Sequence, residues 1–124
     1  MDSRELAELR QDLLLARRNM CECVKKIDPL RKAMILSKTA YQRELARAKV
    51  KARELAQTAA DKQATMINAV AELDDNVIMA RDDYDIKLAM YEQAECELKN
   101  VEDEIKAVKK AMSTIETEMR SFGG

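Results

Sequence analysis

Residues 21–33 read CECVKKIDPLRKA and hold the only proline of the chain, Pro29. Two local readings compete there. Asp28 is a good N-cap and Pro29 fits a first helical position, which together read as a helix start. Lys25 and Lys26 suit the end of a preceding helix, where cations complement the dipole. Alternatively, Pro29 bends one long helix and removes one backbone hydrogen bond from it. The choice decides whether the first residues fold back as a third helix or run on toward a distant partner.

Heptad spacing favours the second reading. Leu6, Leu13, Met20 and Ile27 form one line, and Leu9, Ala16, Cys23 and Leu30 a second. The first line continues past the proline through Met34, Tyr41, Ala48 and Leu55, while its companion changes side to Leu45, Ala52 and Ala59. Toward the other end, Val77, Tyr84, Tyr91, Leu98, Ile105, Met112 and Met119 recur every seven residues. Three residues after each stand Ala80, Lys87, Ala94, Val101, Val108, Ile115 and Phe122, a seam whose polar exception is Lys87. Such a repeat specifies a helix packed against another along one stripe. Asp2 with Glu5 resembles a capping box, and Asp74 and Asp75 read as the start of the last helix. The heptad phase is lost over residues 59–76, where the chain is expected to reverse. With the turn centred near Ile67, Met119 falls opposite Leu15 and Met112 opposite Glu22. Those last seam residues need a partner, and residues 13–27 supply it only if the helix continues past Pro29.

The expected fold is therefore all-α. It is a long antiparallel helical hairpin or coiled coil, its N-terminal helix kinked near Pro29, with a short helix or turn at 59–76. A three-helix bundle is the alternative. The chain reads as one helical domain, 1–124, with an arm at 2–58 kinked at 28–29, a reversal at 59–75 and an arm at 76–121. Composition agrees: among 124 residues there are two glycines, no tryptophan, no histidine and one phenylalanine, while 36% are charged. That mixture suits a thin helical seam better than a thick core.

Charge is divided between the arms. Residues 1–63 hold 15 Lys/Arg and 9 Asp/Glu, whereas residues 64–124 hold 7 and 14. In a hairpin each arm then flanks the seam with charge opposite to its neighbour's, which sets orientation. The basic stretch KTAYQRELARAKVKAR offers Lys38, Arg43, Arg47, Lys49, Lys51 and Arg53 as candidate nucleic-acid contacts. Phosphate binding needs such charge. The acidic arm beside it weakens that field, so a charge-paired, solvated face is the favoured reading and nucleic acid the less favoured partner.

Reactive chemistry is sparse. Without histidine there is neither a histidine-based triad nor an HExxH site. Cys21 and Cys23 lie about 200° apart around a helix, so they share no ligand face. Cys23 falls on the seam as a small apolar residue. Glu72, Asp74, Asp75, Asp82, Asp83 and Asp85 cluster without the spacing and glycine of a calcium loop, and read as capping and solvating groups. No enzyme activity, cofactor or metal is expected. No apolar run reaches the ~20 residues of a membrane span, and the polar opening MDSRELAELR is unlike a signal peptide. A cytoplasmic protein is expected.

Surplus apolar surface points to association. Leu14 and Leu15 extend the seam at DLLLA, and Val24 lies off it. Residues 2–12 are expected to overhang the shorter arm, leaving Leu6 and Leu9 unpartnered. Leu6, Leu9, Leu13, Leu14 and Leu15 are the candidate partner interface, with a homodimer as the first expectation.

Residues 38–112 resemble a group of small coiled-coil early-region proteins from phages and prophages of Gram-positive bacteria. The resemblance rests on Tyr41 leading a basic helix, Thr65 with Ile67, the Asp74–Val77 helix start, and Asp85 followed by Tyr91. The chain has no glycine at its reversal, where one is expected. The resemblance implies no catalytic residue, a host-cytoplasmic location and an accessory role in phage DNA recombination or replication. The function expected is that of a self-associating adaptor. A nucleic-acid-binding accessory protein and a structural subunit of a virion or tail are the alternatives.

Overall fold

The computed structural model describes residues 3–123, and side-chain burial for residues 3–121. The expected cap residue Asp2 and the seam side chain of Phe122 lie outside these. Helix accounts for 92% of the described residues, with no strand among them, so the fold is all-α. Three helices follow one another: α1 (Ser3–Leu55), α2 (Ala64–Glu72) and α3 (Asp75–Gly123). They form two compact units, residues 29–91 and residues 1–28 with 92–124.

Helix α1 runs through Pro29 without interruption, so the first residues do not fold back as a separate helix. The proline side chain is exposed, and the half-buried Ile27 and Leu30 flank it. The lost hydrogen bond thus falls where water reaches the backbone, the cheapest place for it.

In the unit of residues 29–91, Ala48, Ala71 and Val77 form the core, with Tyr41 and Leu45 packed against them. Val77 is fully buried. The buried set is dominated by alanine, which lets helices approach closely. Tyr41 stacks on Tyr84, which fixes the register between α1 and α3 here. In the unit that joins 1–28 to 92–124, Leu6, Ala16, Ala94, Ile105 and Ile115 are buried. Met20 and Ile105 line one groove with Arg17 and Lys109.

This register corrects the expected one. The reversal lies in residues 56–63, earlier than the turn expected near Ile67. Helix α2 already belongs to the returning arm, because Ile67 and Ala71 turn inward and are buried. The reversal needs no glycine: no described residue has a positive φ. Thr58 makes the turn instead. Its hydroxyl accepts from the Asp61 amide at 3.1 Å and its carbonyl from the Lys62 amide at 3.2 Å. A second short break follows α2, where Leu73 and Asp74 donate back to Val70 and Ala71. The Asp74 carboxylate then accepts from the amides of Asn76 (2.9 Å) and Val77 (3.3 Å) and starts α3. Asp74 is the N-cap the sequence called for.

Along α3 the heptad reading holds from Val77 through Ile115, each of whose seam residues is buried or half-buried. Met119 departs from it and is 41% exposed. On α1, Leu55 also departs, at 67% exposure, because the chain turns away directly after it. Ala59 lies in the loop and is exposed. Ser37 is buried in the place where the second line was expected to change side. Its hydroxyl donates to the Met34 carbonyl at 2.7 Å, so a polar atom sits in the seam without cost.

Candidate interaction surfaces

The five leucines of the expected interface divide by helix periodicity. Leu6 is buried, and Leu9 and Leu13 are half-buried on the seam. The expected overhang is therefore wrong. Leu6 is buried within the unit that joins residues 1–28 to 92–124. Leu14 and Leu15 remain outside, 58% and 59% exposed. Val24 is exposed with them.

The basic residues also divide. Lys38, Arg43, Arg47, Lys51 and Arg53 are exposed, and Lys49 is half-buried. At about 100° per residue, Arg43, Arg47 and Lys51 form one row down α1. Lys38, Lys49 and Arg53 form another on the opposite flank of the seam. They are two rows, not one face. Arg47 is held to Glu44 within its own helix at 3.1 Å, and Lys87 to Asp83 at 3.8 Å in α3. The Lys87 ion pair lets a lysine occupy a seam position: its stem is half-buried while its ammonium reaches the acidic flank.

Apolar surface gathers at the end of the unit formed by residues 29–91. A groove of about 220 Å³ is lined by Ala48, Ala52, Leu55, Val70, Ala71 and Leu73, with Lys51 and Asp74 at its rim. A neighbouring groove of about 210 Å³ adds Met66, Ile67 and Asp61. Leu73 is 76% exposed there. The sequence carried a signal for this surface: residues 64–71 contain no charge, and an uncharged helix has more apolar arc than one neighbour covers.

In the other unit, a groove of about 280 Å³ has Met20 and Ile105 as its floor and Arg17, Lys106, Lys109 and Glu102 around it. Cys21 and Cys96 are exposed and Cys23 half-buried, all three as free thiols. Among the described residues no three Cys, Asp or Glu side chains come together as a metal site. No described helix is long and apolar enough to cross a membrane. The exposed surfaces are apolar stripes and charged flanks. No family model matches the chain, and neither a curated protein nor a solved structure matches it.

Proposed function

We propose that this protein is a non-enzymatic helical adaptor that associates with itself and docks a protein partner through apolar side chains outside its seam. One observation carries the reading. Large apolar residues stand exposed on both units, among them Leu14, Leu15, Leu36, Leu73 and Met79, while the buried core is mostly alanine and isoleucine. Exposed apolar surface of that extent on a small protein marks association. The resemblance to phage early-region proteins adds an accessory role in DNA recombination or replication, in the host cytoplasm.

In the unit of residues 1–28 with 92–124 the docking residues are Leu14 and Leu15. A Leu14→Asp/Leu15→Asp variant is the test, with mass followed by light scattering across protein concentration. Wild-type protein heavier than one chain supports self-association, and a variant of unchanged mass leaves Leu14 and Leu15 to the protein partner. A wild-type mass of one chain at every concentration removes self-association. Changing Leu6 or Leu13 instead would strike the seam and confuse folding with docking.

A second reading, nucleic-acid binding, draws on the exposure of Arg43, Arg47 and Lys51 in one row. The acidic residues of α3 in the same unit, Asp75, Asp82, Asp83 and Asp85, oppose it through their field.

A further inference from the structure

Within the unit of residues 29–91, each of the two long helices carries a second stripe on the side away from their common seam. On α1 it runs Leu36, Thr39, Arg43, Ala46, Val50. On α3 it runs Met79, Asp82, Ile86, Ala89. Both follow the alternating three- and four-residue spacing of a coiled-coil seam, and all nine residues are exposed. Leu36 is 71% exposed, Met79 70%, Ile86 58% and Val50 50%.

We propose that these stripes are two halves of one contact: the outer stripe of α1 in one copy packs on the outer stripe of α3 in a second copy. The inference rests on the reading that the protein self-associates, and it names the surface.

Three features select a second copy as the occupant. Each stripe has large apolar residues about two turns or more apart, with small residues in the same line. Thr39, Ala46 and Ala89 leave room for the knobs of a facing helix. The charges are complementary, since the polar position inside the α1 stripe is Arg43 and that inside the α3 stripe is Asp82. A single buried polar position of this kind fixes register and partner in coiled coils. The flanks agree, with Arg47 beside one stripe and Asp75 and Asp83 beside the other. Like stripes would repel when brought together, so α1 on α1 and α3 on α3 are both disfavoured.

The experiment uses two surface variants of the full chain. Leu36→Glu/Val50→Glu breaks the α1 stripe, and Met79→Lys/Ile86→Lys breaks the α3 stripe. Circular dichroism checks that both keep their helix content, and light scattering reads mass for each alone and for their equimolar mixture. The expected result is that each variant alone is a monomer, whereas the mixture forms a one-to-one complex through the intact stripe of each. An Arg43→Asp variant should likewise lose self-association and regain it with Asp82→Arg.

Three results would overturn the proposal. If both variants keep wild-type mass, the stripes are not the interface, while self-association through another surface stands. If each is monomeric and the mixture stays so, the stripe of α1 does not pair with that of α3. A monomeric wild type would remove the inference together with the self-association beneath it.

Discussion

The ring of Tyr41 stacks on the ring of Tyr84, with centroids 6.2 Å apart and planes inclined by 28°. One residue comes from α1 and the other from α3, and the pair ties the two arms together beside the Ala48–Val77 core. Both rings are half-buried, so each contributes area as well as stacking. Tyr41→Ala and Tyr84→Ala should each lower stability by about 2 kcal/mol, below the full cost of a buried aromatic. The double variant should fall short of the sum by about 0.5–1.5 kcal/mol, the stacking contribution. Urea unfolding followed by far-ultraviolet circular dichroism measures all three. Strict additivity would mean the rings only share a neighbourhood.

Asp74 accepts from two amides at the start of α3, a role few side chains fill. Asp74→Ala should lower stability by about 1 kcal/mol, and Asp74→Asn should recover most of that loss. Hydrogen exchange at Asn76 and Val77 localises the effect. Exchange that quickens equally along the whole chain would point to general destabilisation instead.

Pro29 offers the reverse sign. Replacing it with alanine restores an amide to α1 at a position that is helical on both sides. A proline inside a helix costs about 3 kcal/mol, and the stiffer unfolded chain returns up to about 1 kcal/mol of that. Pro29→Ala should therefore stabilise the protein by about 2–3 kcal/mol, seen as a higher midpoint in denaturant. A lower midpoint would show that α1 depends on the proline at residue 29.

The two basic rows give a separate expectation for nucleic acid. With acids of α3 in the same unit, binding of a labelled oligonucleotide should be weak near 0.15 M salt, where the Debye length is about 8 Å. If binding is found, neutralising Arg43, Arg47 and Lys51 should reduce the slope of log affinity against log salt by about 3 for a duplex. An unchanged slope would exclude that row as the contact.

Much of the fold was legible because heptad spacing is a long-range signal. Val77 through Ile115 could be placed on a seam by counting, and Pro29 could be placed inside a helix because Ile27, Met34 and Tyr41 keep phase across it. The reversal was not legible from the same pattern. Helix α2 is too short to show a period, and Thr58 replaces the glycine that would have marked the turn. An error of a few residues in the turn centre doubles into the register, and this made Leu6 and Leu9 look unpartnered. Ser37 was missed because a serine breaks an apolar pattern even when its hydroxyl is satisfied locally. The outer stripes were missed for a different reason. Their central positions are Arg43 and Asp82, which read as solvated surface until the helices show which residues stand in line with them.

The division of the chain into two units also sets an order of assembly. Residues 29–91 close through the short loop at 56–63, which for a chain of that size is a matter of tens of nanoseconds. The other unit joins segments separated by all of residues 29–91. That is about three doublings of loop length, or roughly 2 kcal/mol of additional closure entropy. Closure of residues 29–91 is therefore the less costly step. During synthesis residues 3–28 leave the ribosome long before 92–123, so Leu6, Leu9 and Leu13 travel uncovered until the last stretch of chain arrives.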